Sequence, residues 1–273
     1  MLIEGSVAIV TGAGSGIGAA IAHSFAAAGV QVVVGDIDVA GAHATAEQIT
    51  GLGLTAAAVH ADASVRSDIR TMIEFATNRF GPVDIYVANA GISGPPGLGM
   101  SDRDWDRVLE VNLRAHVRAA ALLVPRWVER GSGYFVSTAS AAGLLTQFGA
   151  AAYAVSKHAV VGFAEWLAIT YGDDGIGVSC VCPMGVNTAL LRGAARSKDV
   201  TEQMIFAAIT QAAEVVEPEL VADLTVQAVR EGRFLVLPHR EALDLYRRKG
   251  ADYERWISDM RRYQQSLPTI SGA

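Results

Sequence analysis

A glycine-rich turn follows the first apolar run of the chain and precedes a helical segment of small residues. Its pattern is T-G-x-x-x-G-x-G, carried by Thr11, Gly12, Gly16 and Gly18. Glycines between a strand and a helix let the backbone approach a pyrophosphate, and they point helix N–H groups at it. The turn therefore predicts a dinucleotide site near the start of the chain. The alternative is a tight turn that binds nothing.

Apolar runs typical of strands alternate with helical segments along the sequence. The predicted strands span 7–11, 30–35, 54–60, 82–88, 134–137, 176–181 and 234–237. The predicted helices span 19–28, 39–50, 64–80, 102–130, 150–171, 217–231 and 241–263. This alternation implies right-handed crossovers and a parallel sheet with helices on both faces. We expect one Rossmann-type, doubly wound α/β domain of about seven strands over residues 1–273.

Polar residues fall at or just beyond the predicted carboxyl ends of these strands, where ligands bind in such sheets. Asp36 follows the second strand, where an acid can accept hydrogen bonds from the adenosine ribose. A 2′-phosphate would be repelled there, because no arginine or lysine stands at Ser15, Ile37 or Asp38 to offset its charge. Asp36 thus predicts NAD(H) over NADP(H). The alternative is a solvated aspartate.

Tyr153 and Lys157 are four residues apart in a predicted helix, and therefore share one face. A free tyrosine has a pKa near 10, too high for a base at neutral pH. An ammonium ~4 Å from the phenolate is worth at most about 4 kcal/mol at an effective dielectric constant of 20. We expect this to bring the pKa of the phenol close to neutrality, where acid/base catalysis is efficient. The alternative is a surface tyrosine beside a solvated lysine.

A set of motifs then carries a family resemblance. The matching residues are Thr11, Gly12, Gly16, Gly18, Asp36, Asp62, Asn89, Ala90, Gly91, Asn112, Ser140, Tyr153, Lys157, Pro183 and Thr188. With these residues at these spacings, the chain resembles the short-chain dehydrogenase/reductase family over nearly its whole length.

The resemblance implies a catalytic role for four side chains. Tyr153 resembles the proton donor for ketone reduction and the acceptor for alcohol oxidation. Ser140 resembles the hydroxyl that orients the substrate oxygen, and Lys157 the residue that binds the nicotinamide ribose and lowers the tyrosine pKa. Asn112 resembles the residue that holds a water in the proton relay. Alternatively, Asn112 kinks or caps its helix and Ser140 is a turn serine.

The resemblance also implies an NAD site. Asp62 is similar to the adenine contact, or else it only caps a loop, and Thr188 would contact the carboxamide or the phosphates. The implied cofactor-binding residues are Thr11, Gly12, Ser15, Gly16, Ile17, Gly18, Asp36, Ile37, Asp62, Ala63, Asn89, Ala90, Gly91, Tyr153, Lys157, Pro183, Val186 and Thr188. Two positions depart from the family pattern: Met184 replaces the glycine after Pro183, and Ala88 replaces the first asparagine of Asn-Asn-Ala-Gly.

Composition excludes several functional classes. The formal net charge of −6 does not suit a nucleic-acid-binding face. No basic region precedes an apolar stretch at the start, and no apolar run reaches the ~20 residues of a membrane helix. Cys180 and Cys182 are expected to be buried, unpaired and on opposite faces of a strand, which fits the cytoplasm. The histidines show no metal-site spacing, so we expect no metal.

The substrate is the least determined property. The insertion 189–215 mixes apolar and basic residues and is expected to form a lid, with a helical extension at 241–273. These residues favour an apolar secondary alcohol or ketone, cyclic or aromatic, unless they pack only on the protein itself. The helix after Tyr153 is apolar on more than one face, which predicts a homo-oligomer, a tetramer or dimer. Alternative functions are an NADPH-dependent ketoacyl-thioester reductase and a non-catalytic NAD sensor.

Overall fold

A parallel sheet of seven strands forms the centre of the computed structural model, which describes residues 2–267. The strands are β1 Val7–Thr11, β2 Gln31–Asp36, β3 Ala56–His60, β4 Ile85–Ala88, β5 Gly133–Thr138, β6 Ile176–Val181 and β7 Leu235–Val236. Their order in the sheet is β3-β2-β1-β4-β5-β6-β7. The direction of winding reverses between β1 and β4, the position at which doubly wound sheets bind ligands.

Helices cover both faces of this sheet. They are α1 Gly16–Ala27, α2 Val39–Gly51, α3 Arg66–Arg79, α4 Asp102–Leu109, α5 Ala115–Arg130, α6 Ala142–Leu145, α7 Ala151–Tyr171, α8 Ala189–Arg196, α9 Val200–Ala212, α10 Pro218–Glu231, α11 Arg240–Ala251 and α12 Tyr253–Ser266. One hydrophobic cluster lies between the sheet and α3, α5 and α7. A second lies between the sheet and α1, α2 and α10. The predicted Rossmann-type fold is confirmed.

The strands are apolar because both of their faces are covered. All five residues of β1 are buried, and so are all six of β5. Packing against β5 depends on Gly133, where a Cβ would overlap the indole of Trp127. Trp127 lies in α5 and donates from its Nε1 to the carbonyl of Val83 at 2.8 Å. Helix and sheet therefore fit closely at this point.

Several sequence-based boundaries differ from the structure by a few residues, and three differences have a visible cause or change an element. The helix expected to begin at Ser64 begins at Arg66, because the Ser64 hydroxyl donates to Asp62 at 2.6 Å instead of capping it. The long helix expected over 102–130 is interrupted by a π-helical turn, Glu110–Arg114. The C-terminal extension is two helices, because Asp252 breaks it and caps α12 by accepting from the N–H of Arg255 at 2.9 Å. Residues 268–273 of that extension lie outside the described residues.

The expected placement of the two cysteines was wrong. Residues i and i+2 of a strand point to the same face. Accordingly, the sulfurs of Cys180 and Cys182 lie 3.8 Å apart, both thiols free and buried. In the described part of the chain, no helix has both the length and the apolarity needed to cross a membrane.

Candidate active site

The glycine turn between β1 and α1 lies at the switch point of the sheet. Gly12 has a φ of +62°, and a Cβ there would lie 2.8 Å from the Cα of Ala90. A Cβ at Gly18 would overlap the carbonyl oxygen of Gly12. The turn can therefore be built only with glycine at these two positions, as the sequence predicts.

Thr11 and Asn89 join this turn to the end of β4. The hydroxyl of Thr11 accepts from the N–H groups of Asn89 at 3.0 Å and Ala90 at 3.2 Å. The amide of Asn89 donates back to the carbonyls of Thr11 at 3.0 Å and Gly12 at 3.3 Å. These bonds join the two strand ends into one wall. Among residues 2–267 no side chain caps the first N–H groups of α1, which can therefore face a phosphate.

Asp36 lies at the carboxyl end of β2, beside the turn. One of its carboxylate oxygens accepts from the N–H of Gly14 and the other from the N–H of Asp38, each at 2.8 Å. These two bonds fix the carboxylate at the edge of the glycine turn. Ile37, next in the chain, is exposed.

Asp62 stabilises the loop after β3 through hydrogen bonds to Ser64. Its Oδ1 accepts from both the N–H and the hydroxyl of Ser64, at 2.8 and 2.6 Å. The N–H of Asp62 donates to Asp68 at 3.0 Å. The loop-capping role is therefore present, and the adenine contact stays a prediction, as does that of the buried neighbour Ala63.

Tyr153, Ser140 and Lys157 are brought together at the ends of β5 and β6. Ser140 follows β5, and its oxygen accepts from the N–H of Ala142 at 3.1 Å. The ammonium of Lys157 lies 5.6 Å from the centre of the Tyr153 ring and donates to the carbonyl of Thr138 at 2.9 Å. The α7 helix therefore presents the phenol and the ammonium on one face, as predicted.

The pKa of Tyr153 differs from the expectation. Burial raises it above its ordinary value, and this effect exceeds the lowering caused by the Ser140 hydroxyl. The expectation assumed that the ammonium would dominate, but Lys157 is directed at Thr138 and is itself buried. Burial lowers the pKa of Lys157 to about 8, although the nearby Cys182 acts in the opposite direction.

Asn112 lies at the centre of the π-helical turn and is fully buried. Its Oδ1 accepts from the N–H of Ile92 at 2.8 Å. Its Nδ2 donates to the carbonyl of Ile92 at 2.9 Å and to the hydroxyl of Ser156 at 3.0 Å. Both amide hydrogens are in use, so the side chain positions the segment after Gly91 and has no donor left for a water.

A cavity of about 1050 Å³ opens in front of Tyr153. Its walls come from the end of β5, from the loop after β6, from α8 and α9, and from the C-terminal helices. Most of the lining is apolar, including Leu145, Phe148, Ile209 and Trp256. The insertion 189–215, which we expect to form a lid, contains α8 and α9, and both helices line one side of this cavity.

Comparison with known proteins identifies the family. Residues 6–199 match the family model described as "short chain dehydrogenase". The chain belongs to the short-chain dehydrogenase/reductase family. It is 41% identical to the momilactone A synthase of rice, Oryza sativa subsp. japonica, over 75% of each chain. It is 38% identical to the cyclohexanol dehydrogenase of Acinetobacter sp. strain SE19, over 68% of this chain and 74% of that protein.

A solved structure of the family agrees with this assignment. A short-chain dehydrogenase/reductase from Burkholderia phymatum, in complex with NAD, superposes with a TM-score of 0.83 at 29% identity. The match covers 93% of this chain and 96% of that chain. The predicted family is confirmed, and the protein is an oxidoreductase whose fold accepts a nicotinamide cofactor.

Other residues of the short-chain dehydrogenase/reductase pattern lie along the same groove. Ser15 is the first residue before α1, and Ile17, Pro183 and Val186 border the cavity. Thr188 caps α8, and a Cβ at Gly16 would lie 3.2 Å from its methyl group. A Cβ at Gly91 would lie 3.5 Å from the ammonium of Lys157. The wall formed by Thr11 and Asn89 therefore meets the group of Tyr153, Ser140 and Lys157 at this point.

His239 holds the loop in which Met184 departs from the family pattern. Its Nδ1 accepts from the N–H of Met184 at 3.1 Å. Its Nε2 lies 3.1 Å from the carbonyls of both Gly185 and Glu214, so Nε2 carries the proton. Sequence reasoning missed this residue because its partners are 25 to 55 positions away.

Thr138, two residues before Ser140, is a second site residue that belongs to none of the sequence motifs. Its side-chain hydroxyl is buried and has no hydrogen-bond partner among residues 2–267. Thr138 borders the cavity beside Lys157. A buried hydroxyl without a partner is costly, and a bound cofactor or substrate would satisfy it. The residues along this groove therefore fit a nicotinamide cofactor.

Proposed function

We propose that this protein is an NAD(H)-dependent dehydrogenase that interconverts an apolar secondary alcohol and its ketone. The observation that carries the proposal is the placement of Tyr153, Ser140 and Lys157 on one wall of an apolar cavity. That wall is continuous with the glycine cradle through Gly91. A proton-transfer group is thus placed between a dinucleotide groove and a pocket for an apolar molecule.

In this mechanism, Tyr153 donates a proton to the ketone oxygen, or accepts the hydroxyl proton of the alcohol. Ser140 donates a hydrogen bond to the same oxygen and favours the charge that develops on it. The ammonium of Lys157 uses one hydrogen for the carbonyl of Thr138. Its other two hydrogens would donate to the nicotinamide ribose. The bound nicotinamide supplies or accepts the hydride. Burial keeps the phenol protonated at neutral pH, which is the form that ketone reduction needs.

NAD(H) rather than NADP(H) follows from Asp36. Its carboxylate is fixed by Gly14 and Asp38, and a 2′-phosphate of up to about two negative charges would have to approach it. Neither Ile37 nor Asp38 offers a compensating cation. The position therefore favours a ribose with free hydroxyls.

A ring-bearing substrate fits the cavity. Pockets for drug-sized ligands span about 300–1,000 Å³. This cavity is slightly larger, at about 1050 Å³, because its lining includes Ile17, Lys157 and Thr188 of the proposed cofactor groove as well as the apolar pocket. Its apolar lining matches a hydrocarbon skeleton, and one relative is named for its action on cyclohexanol. The ketoacyl reductase function is less suitable, because it is expected to use NADPH and the carboxylate of Asp36 would repel the 2′-phosphate of that cofactor.

A panel of alcohols and ketones, followed by the absorbance of NADH, tests the proposal. It contains cyclohexanol, fused-ring secondary alcohols, their ketones and an acetoacetyl thioester, each with both cofactors. We expect turnover of ring alcohols with NAD⁺ and of ring ketones with NADH. Turnover of the thioester alone would instead support the ketoacyl reductase. Tight binding of NAD⁺ without any turnover would support the NAD sensor.

We also propose that the protein is a cytoplasmic homo-oligomer, a tetramer or dimer. Trp166 and Ile169 on α7 are 52% and 83% exposed, as expected of a helix face that meets a second subunit. Two free thiols suit a reducing compartment. Light scattering at micromolar concentration should give a mass well above that of one chain. A monomer would count against the assembly.

A further inference from the structure

Lys249 is a buried lysine in the wall of the cavity. It lies in α11 and is 6% exposed. Its ammonium donates to the carbonyl of Leu144 at 2.6 Å and lies 5.4 Å from the centre of the Tyr253 ring. An ammonium has three hydrogens, so these two contacts leave it able to donate to a ligand.

No carboxylate neutralises this ammonium within residues 2–267, because none of their acidic oxygens lies within 4.0 Å of it. Burying a charge without an opposite charge is costly. The carbonyl of Leu144 and the ring of Tyr253 offset only part of this desolvation cost. The ammonium is therefore prepared for an anion that enters from the cavity.

The other charged groups of the cavity do not supply that anion. Besides Lys249, the charged residues in its lining are Lys157, Glu202 and Arg261. Lys157 is engaged with Thr138, and Arg261 adds a positive charge. Glu202, in the first turn of α9, is the one acid, and it forms no ion pair with Lys249. Three cations and one anion therefore line a mostly apolar cavity.

We propose that Lys249 binds a carboxylate of the substrate, which makes the substrate an apolar hydroxy acid or oxo acid. The inference rests on the proposed function and deepens it. A carboxylate fits better than a phosphate, because a single buried ammonium matches one negative charge rather than two. Leu144, the partner of Lys249, lies four residues after Ser140. The ammonium proposed for the carboxylate is therefore held by the same short segment, residues 140–144, that carries Ser140.

Matched substrate pairs test this inference. Each pair is a ring hydroxy acid and its primary carboxamide, which have the same shape and differ in charge; 4-hydroxycyclohexanecarboxylate and a hydroxydecalin carboxylate supply two pairs. For Lys249→Met, we expect kcat/KM to fall about 10- to 100-fold for the acids. For the carboxamides we expect less than about a threefold change. Lys249→Arg should keep most of the preference for the acid, and Lys198→Met, at an exposed lysine outside the cavity lining, should change neither value.

Two results would overturn the inference. One is an equal loss for acid and carboxamide in Lys249→Met, because that would show that the lysine only anchors α11. The other is a wild-type preference for the carboxamide in both pairs. If Lys249→Met does not fold, Lys249→Gln keeps a donor for the Leu144 carbonyl without the charge, and the same comparison applies.

A binding measurement separates this inference from the proposed function. Calorimetry with 4-oxocyclohexanecarboxylate and its carboxamide needs no turnover. We expect the wild type to bind the carboxylate about tenfold more tightly, and Lys249→Met to lose that difference. If the protein has no activity but still binds the carboxylate more tightly through Lys249, the proposed dehydrogenase function is refuted and the anion site stands. If the protein is an active dehydrogenase without this preference for the carboxylate, only the anion site is refuted.

Discussion

The imidazole of His239 accepts a hydrogen bond of 3.1 Å from the backbone N–H of Met184. Met184 stands in the loop after β6, where the family pattern has glycine. His239, which is 3% exposed, also donates to the carbonyls of Gly185 and Glu214, and so joins this loop to the end of α9. An imidazole with both nitrogens in use thus fixes the path of the loop in which Met184 departs from the family pattern.

Removing His239 should weaken both stability and cofactor binding. His239→Ala leaves one N–H and two carbonyls without their partner, and we expect the free energy of unfolding to fall by about 2–3 kcal/mol. The KM for NAD⁺ should rise, since the loop borders the groove. Denaturant unfolding and steady-state kinetics check this. His43→Ala, at an exposed histidine, is the control and should change stability by less than about 0.5 kcal/mol.

Asp36 should determine the choice of cofactor. We expect the wild type to have a kcat/KM at least about tenfold higher with NAD⁺ than with NADP⁺, because the carboxylate repels the 2′-phosphate. Asp36→Ala should lose most of that preference, whereas Asp102→Ala, at an exposed acid in α4, should keep it. A tenfold wild-type preference for NADP⁺ would show that Asp36 does not face the ribose.

The pKa of Lys157 predicts how stability changes with pH. Burial lowers this pKa from 10.5 to about 8. Between these values the unfolded chain holds a proton that the folded protein has released, so the free energy of unfolding should rise with pH. We expect wild type to gain about 2 kcal/mol more than Lys157→Met between pH 8 and 10. Urea unfolding at both pH values measures this, and parallel curves for the two proteins would refute it.

Two glycines should respond oppositely to alanine. At Gly18 a Cβ would overlap the carbonyl oxygen of Gly12, so Gly18→Ala should destabilise the protein by about 2 kcal/mol or more and weaken NAD⁺ binding. At Gly250, in α11, a Cβ meets no atom within 4 Å. Gly250→Ala should therefore stabilise it by about 0.5–1 kcal/mol. Thermal unfolding compares them, and equal effects would contradict the steric argument.

Local patterns predicted the strands and the site residues that lie at their ends. The apolar run before Gly12 predicts β1 by its composition, and the spacing of Tyr153 and Lys157 places both on one helix face. Each prediction needs only a few neighbouring positions. The alternative that Asn112 kinks its helix agrees with the π-helical turn found there. The hydrogen bonds of Asn112 to Ile92 and Ser156, 20 and 44 positions away, were not predictable from local sequence.

Long-range contacts explain what the sequence did not reveal. Lys249 reaches Leu144 across 105 positions and His239 reaches Met184 across 55. Neither residue belongs to a motif, and each has a polar function only because the C-terminal helices fold over the cavity. The pKa of Tyr153 was mispredicted for a related reason, since burial is a property of the whole fold.

The proton-transfer role of Tyr153 is tested most directly by Tyr153→Phe, measured with NAD⁺ and a ring alcohol that the wild type oxidises. Removing one oxygen leaves the ring packing and the glycine cradle in place. We predict that kcat falls by about 10²- to 10⁴-fold while the calorimetric Kd for NAD⁺ changes by less than about threefold. A variant that keeps a near wild-type kcat would contradict the assignment of Tyr153 as the acid/base.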